Sequence, residues 1–285
     1  MLDTSAVMNR RKLFKGLGVA GAVAASSGLV GTSFTKLFGQ SGAQMDTPAE
    51  IFTAALIAED LATVFYYQGL IGGVIMDPNL AGPGGTALNP GPAPNGNAGN
   101  VDYLRAALTE EIMHASYLRA QLGIPNAGSD PYQTFYFAAE TFDTLAPFIA
   151  TLEALEDAFI GAYLVAVREL ASLAVQVGPS MPLGPPGGPF NGAQLAYYAQ
   201  VAASILGVES EHRVLGNVIN NVNPANNLCF ESTDGLASVY NGANSAVVAL
   251  TPFLTSTTGP GFTLADALMN AKSLELPCSG SAPKF

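Results

Sequence analysis

The chain has 285 residues, of which 49% are hydrophobic and only 12% are charged, and its formal net charge is −11 at pH 7. Soluble domains usually carry about 25% charged residues. Helices this poor in charge must be covered by other segments, by a second subunit in a homo-oligomer or by a membrane surface. The acidic balance makes nucleic acid an unexpected partner, because phosphate binding needs a basic surface.

A pair of arginines near the N-terminus resembles a twin-arginine export signal. Arg10 and Arg11 precede a Gly/Ala-rich apolar stretch at residues 16–34. We expect residues 1–43 to be a signal peptide and the protein to be exported, to the periplasm or outside the cell. The alternative is an uncleaved N-terminus that associates with the membrane, because these 19 residues could just span a bilayer.

The charge and the cysteines of the remaining chain are consistent with export. The predicted signal holds five of the 11 basic and one of the 22 acidic residues, which leaves a net charge of −15 beyond it. The two cysteines, Cys229 and Cys278, lack the CxxC spacing of a metal site, and a single pair in an exported protein predicts one disulfide.

Four long stretches have the apolar spacing of α-helices. The first begins at Thr47, where Glu50 completes a capping box, and is predicted to reach Gly72. The second is predicted over residues 100–122 and the third from Pro147 to Val177. The fourth begins after Asn191, with Gln194 three residues later, and is predicted to end near Val222. The predicted fold class is all-α, a four-helix bundle over residues 44–222.

The connections are long. Pro/Gly-rich loops are predicted at 77–100 and 178–190, and the crossover between the second and third helices is predicted to contain a short helix over Thr134–Phe142. Residues 223–285 are predicted to form a C-terminal extension of loops with short helices near 234–250 and 263–273. We expect this extension to pack on the bundle; the alternative is a loosely ordered appendage.

The chain has only two histidines, and each follows a glutamate by three positions, as Glu111/His114 and Glu209/His212. On a helix, residues i and i+3 share a face, so each pair offers a carboxylate oxygen and an imidazole nitrogen to the same point. A lone pair of this kind is often only a surface contact. Each pair is half of a dinuclear metal site, and two pairs on two helices form the complete site when two further helices each add one glutamate.

The first and third helices supply suitable glutamates. Glu59 precedes Glu111 by 52 positions, and Glu156 precedes Glu209 by 53 positions. The chain is therefore interpreted as two helical hairpins in which the two glutamates have nearly the same separation in sequence.

The segments around these residues resemble the four helices of exported bacterial ferritin-like domain proteins, a group that includes desiccation-related proteins. The resemblance covers roughly residues 47–222 and implies a ferritin-like bundle with a dinuclear centre. The first helix of this family often carries a second glutamate, where this chain has Ala62. The segments that carry the resemblance are residues 55–59 with Phe65-Tyr66, 110–114, 155–157 with Ala162-Tyr163, and 203–212.

The predicted ligand set has four carboxylates, two imidazoles and no thiolate, which suits two Fe or two Mn ions better than structural zinc. Such a centre leaves positions open for oxygen or peroxide. The six predicted ligands are Glu59, Glu111, His114, Glu156, Glu209 and His212.

Four further residues are predicted to surround the ligands. Asp60 and Asp157 follow ligand glutamates and are expected to accept the free N–H of the histidines, or to face solvent. Tyr66 and Tyr163 each lie seven residues after a ligand glutamate. They are interpreted as core residues, as hydrogen-bond donors to a ligand glutamate or as local electron donors. Glutamates next to the ligands, such as Glu110, are expected to be solvated or to support the centre.

Two functions follow from this site. The first is an exported di-iron or di-manganese oxidoreductase that reacts with oxygen or peroxide, as a ferroxidase or in peroxide detoxification. The alternative is a stress- or desiccation-related structural or metal-binding protein without turnover. Fold and ligands alone do not decide between them, because the reaction also depends on access routes and electron supply.

Overall fold

The computed structural model describes residues 45–91, 98–178 and 189–277, and the described residues from Asp46 onward belong to one compact unit. The predicted signal segment, residues 1–43, and its alternative as a membrane anchor lie outside the described residues. Within them the chain is mostly helical, which confirms the all-α class. The α-helices are α1 (Pro48–Ile71), α2 (Ala98–Leu122), α3 (Leu145–Val177), α4 (Gly192–Ile219), α5 (Ala246–Leu250) and α6 (Leu264–Ala271).

Side-chain caps set the starts of α1 and α4. The hydroxyl of Thr47 accepts from the backbone N–H of Glu50, whose carboxylate accepts from the backbone N–H of Thr47. Asn191 and Gln194 form the same reciprocal pair at α4. Both predicted capping boxes are confirmed, and each satisfies backbone donors that the first helical turn leaves open. The helix α4 ends at Ile219, three residues before the predicted end.

The crossover between α2 and α3 contains a strand, so the predicted helix over Thr134–Phe142 is wrong. Strand β1 (Thr134–Tyr136) pairs antiparallel with β2 (Gly261–Thr263), and Phe135 lies opposite Phe262. Aromatic and β-branched residues favour a pleated surface of this kind. The partner strand belongs to the C-terminal extension, so the sequence around residue 134 does not reveal it.

The C-terminal extension is less helical than predicted. Of residues 234–250, only α5 is α-helical; it begins after Ser245, whose hydroxyl accepts from the backbone N–H of Val248. Gly235 and Gly242 have φ of 90° and 96°, which interrupts a right-handed helix. The last helix, α6, lies within the predicted range 263–273 and packs on α1.

The disulfide stays a prediction. Cys229 is exposed and has no sulfur partner among the residues that the structure describes, whereas Cys278 lies outside them.

The four long helices bury two apolar clusters. Helix α1 packs along α2 and α3 packs along α4, while α1 also contacts α3 and α2 contacts α4. One cluster includes Phe65 and Phe148, whose rings stack with centroids 4.8 Å apart. The other includes Phe52, Leu118 and Tyr198. The long helices also carry buried glutamates.

Among the described residues, α3 is the one helix long and apolar enough to cross a membrane. Buried core helices share these properties. Helix α3 carries Glu156, which is 1% exposed, and packs along α4. Length and composition therefore do not identify α3 as a membrane span.

Candidate metal centre

The structure brings all six predicted ligands together between the four long helices. Their ligand atoms form two groups, and within each group all of these atoms lie within 4.8 Å of one another. Glu111 and Glu209 belong to both groups. The first group adds Glu59 and His114, and the second adds Glu156 and His212.

Helical spacing and helix packing together build each group. The Nδ1 atom of His114 lies 3.5 Å from Oε2 of Glu111 on its own helix and 3.2 Å from Oε2 of Glu59 on α1. The Nδ1 atom of His212 lies 3.5 Å from Oε2 of Glu209 on its own helix. Both imidazoles therefore direct Nδ1 towards the carboxylates.

The second group repeats this arrangement with a glutamate from another long helix. Nδ1 of His212 lies 3.8 Å from Oε1 of Glu156 on α3 and 3.1 Å from Oε1 of Glu111 on α2. All four long helices thus contribute to the two groups.

The centre holds buried polar atoms without hydrogen-bond partners. The four glutamates are at most 2% exposed. The ion pairs recorded for them within the described part of the chain join them only to the two histidines. The atoms without a partner are both carboxylate oxygens of Glu111 and of Glu209, Oε2 of Glu156 and Nδ1 of His212.

Such atoms are costly to bury, by about 1–3 kcal/mol for each unsatisfied group and more when it is charged. Metal ions would satisfy all of them at once, and the four carboxylates would balance the charge of two divalent ions. Oxygen and imidazole donors without thiolates suit Fe or Mn. The residues present are therefore compatible with a metal site.

The surroundings also raise the proton affinity of the centre. Burial raises the pKa of Glu111, and the neighbouring carboxylate of Glu59 raises it further. Burial likewise raises the pKa of Glu156 well above its ordinary value. Burial alone would lower the pKa of His114 and His212, but the surrounding glutamates raise both well above the ordinary value. A metal ion that binds here must displace protons, so its affinity increases with pH.

Two tyrosines fix the glutamates of α1 and α3 in a reciprocal arrangement. The hydroxyl of Tyr66 on α1 donates to Oε1 of Glu156 on α3, and the hydroxyl of Tyr163 on α3 donates to Oε1 of Glu59 on α1. Burial raises the pKa of both phenols well above the ordinary value, so they stay protonated donors. These hydrogen bonds use Oε1 of each carboxylate, so Oε2 remains available as a ligand atom. A role as electron donors stays a prediction.

The aspartates next to the ligands contact arginines instead of the predicted histidines. Nη2 of Arg119 donates to Oδ1 of Asp60 at 2.5 Å, and Nη1 of Arg213 donates to Oδ1 of Asp157 at 3.0 Å. The physical reason is helical geometry, because adjacent residues project about 100° apart around the axis. A residue next to an inward ligand therefore faces a different neighbour.

Each arginine also binds a second carboxylate from outside the four long helices. Arg119 donates through Nε to Oδ2 of Asp130, which lies between α2 and β1, at 2.6 Å. Arg213 donates to both carboxylate oxygens of Glu231 in the C-terminal extension. Burial raises the pKa of Asp60 to about 9; the guanidinium of Arg119 opposes this increase, and the nearby carboxylate of Asp130 adds to it.

A third contact distinguishes the two histidines, and the sequence did not assign it. Oε2 of Glu110 lies 2.8 Å from Nε2 of His212, which leaves Nδ1 of that ring for a metal ion. In the second hairpin the position equivalent to Glu110 is occupied by Val208, which has no carboxylate. The side chain of His212 is 1% exposed, against 16% for His114. The two halves of the centre are therefore inequivalent.

No protein-family model, no curated protein and no solved structure matches the chain. The resemblance to ferritin-like domain proteins therefore stays a prediction. The function must be argued from the geometry of the site.

Proposed function

We propose that this protein is an exported ferritin-like oxidoreductase, in which α1–α4 form a four-helix bundle around two Fe or Mn ions. The observation that supports it is the pair of ligand groups that share Glu111 and Glu209, whose four carboxylate oxygens are buried without hydrogen-bond partners. Two glutamates common to two histidine-containing groups are typical of carboxylate-bridged centres.

The residues divide into terminal and bridging ligands. Glu59 and His114 would hold one ion, Glu156 and His212 the other, and Glu111 and Glu209 would bridge them. Two ferrous ions supply one electron each, enough with two protons to reduce O2 to H2O2 or H2O2 to two waters.

The chain itself orients the ligands and excludes water. Tyr66 and Tyr163 each hold one carboxylate oxygen of a terminal glutamate, which fixes the orientation of that ligand. The four glutamates are at most 2% exposed, so solvent has little access to the centre. A buried, preorganised ligand set of this kind is what a reactive metal pair requires.

The experiment loads the metal-free protein anaerobically with two equivalents of Fe(II) and mixes it with O2 or with H2O2. We expect Fe(III) to form with at least one oxidant, followed by absorbance and Mössbauer spectroscopy. Glu209→Gln should prevent the reaction, because it weakens both ion positions. Glu211→Gln is the matched control, since Glu211 is exposed on the same helix and belongs to neither ligand group.

A fully loaded wild-type protein whose iron stays ferrous with both oxidants would contradict turnover. That result would favour the alternative, a stress-related structural or metal-binding protein. The Glu211→Gln control separates this outcome from a general loss of folding, because the control should load and react like the wild type.

A further inference from the structure

An apolar cavity of about 30 Å³ lies beside the proposed centre. Residues from α1, α2, α3 and α4 line it, and the C-terminal extension adds Val239, Ala246 and Leu250. All 20 lining residues are aliphatic or aromatic. Many are alanines, so the space exists because small side chains face one another across the helices.

The cavity adjoins the half of the centre that contains Glu59 and His114. Ala58, which lines it, precedes Glu59 in α1, and Tyr163 both lines it and donates to Glu59. Leu118, another lining residue, lies one helical turn after His114. A molecule in the cavity would therefore lie close to the more exposed of the two histidines.

Aromatic rings form part of the cavity lining. Phe52 and Tyr198 line it, with ring centroids 5.0 Å apart in an edge-on contact. Phe190 packs edge-on against both rings. These contacts hold the aromatic part of the lining in place.

Two of the three tyrosine hydroxyls on the lining have hydrogen-bond partners outside it. Tyr198 donates to Oε1 of Gln121 at 2.7 Å, and Tyr163 donates to Glu59. A buried water needs two to four polar partners, whereas apolar cavities of sufficient size stay dry and accept small apolar molecules. Hydrogen peroxide has the same need for partners as water, but O2 does not.

We infer that this cavity is a binding site for dioxygen, from which O2 reaches the Glu59 and His114 side of the centre. The inference rests on the proposed function and narrows it, because it makes O2 and not peroxide the oxidant that the protein is built to admit. The ligand is recognised by its size and lack of polarity, with no hydrogen bond required.

The first test does not depend on activity. Xenon is an apolar probe of such cavities. Crystals of the zinc-loaded protein under xenon pressure should show one anomalous xenon peak between Ala58 and Ala202. Crystals without a peak there would overturn the inference, and zinc at the ligand groups would show in the same data that the metal site is intact.

The second test fills the cavity. Ala202→Leu places a larger side chain in the lining, and Ala199→Leu makes the same change on the same helix at a buried position outside the lining. We expect Ala202→Leu to slow oxidation of bound Fe(II) by O2 about tenfold or more, with oxidation by H2O2 and the iron content unchanged. Ala199→Leu should leave all three unchanged.

Equal rates with O2 for the Ala202→Leu variant and the wild type would overturn the inference, as would an equal loss with both oxidants. Failure of the proposed function gives a different result, namely a wild-type protein that does not bind iron or whose bound iron stays ferrous. The circular dichroism of both variants should match that of the wild type, which excludes misfolding as the cause.

Discussion

The contact between Glu110 and His212 predicts that the two metal positions differ in affinity. Glu110→Gln keeps the length of the side chain but removes the charge that accepts from Nε2 at 2.8 Å. Replacing such an outer partner typically lowers metal affinity 10- to 100-fold, about 1.4–2.7 kcal/mol. The side chain of Glu110 is 34% exposed, so water screens the charge and the lower limit applies, about tenfold or ~1.4 kcal/mol.

The assay is calorimetric titration of the metal-free protein with Mn(II) in competition with a chelator. We expect two Mn(II) binding steps in the wild type. In Glu110→Gln, the affinity of only one of these steps should fall, by about tenfold. Glu211→Gln is the control, because it removes the same charge from an exposed residue that directly precedes His212 in the chain. Equal weakening of both steps, or no weakening, would refute the assignment of Glu110 to His212.

Three further predictions follow from the buried charges. Glu156→Ala should lower the metal content to one ion or fewer per chain but change the free energy of unfolding of the metal-free protein by less than about 1 kcal/mol, because it also removes repulsion among buried carboxylates. Preserved metal content would contradict its assignment as a ligand. Because the pKa values of Glu111, Glu156 and both histidines are raised in the folded state, the stability of the metal-free protein should fall as pH rises from about 5 to 8, while the stabilisation by Mn(II) should grow. Thermal unfolding with and without EDTA measures both trends, and a metal-free protein that becomes more stable over this range would contradict the raised pKa values. Arg119→Met should destabilise the protein by about 3 kcal/mol in urea unfolding, because it leaves the buried carboxyl groups of Asp60 and Asp130 without their guanidinium donor; a cost below about 1 kcal/mol would show that these contacts contribute little.

The ligands could be predicted from the sequence because their signal is local. Each histidine has a glutamate three residues before it, and helical geometry alone places the two side chains on one face. The glutamates of α1 and α3 followed from the matching spacing of two hairpins. Capping boxes at Thr47 and Asn191 are local patterns of the same kind.

The errors concern contacts between distant segments. Strand β1 was predicted as a helix because its partner strand begins only at Gly261. The partner of Asp60 depends on where Arg119 of α2 lies after the helices pack, and no spacing reports this. The inequivalence of the histidines follows from Glu110 in one hairpin and Val208 in the other. The similar spacing of the ligands in the two hairpins had suggested two equivalent halves.

The most direct test of a dinuclear centre is metal analysis of protein expressed with iron and manganese supplied, combined with anomalous scattering from its crystals. We predict about two Fe or Mn ions per chain, with Glu111 and Glu209 bridging them, since two overlapping ligand groups share these residues. Substantially less than one ion per chain, or a single ion bound away from these glutamates, would contradict the proposed centre.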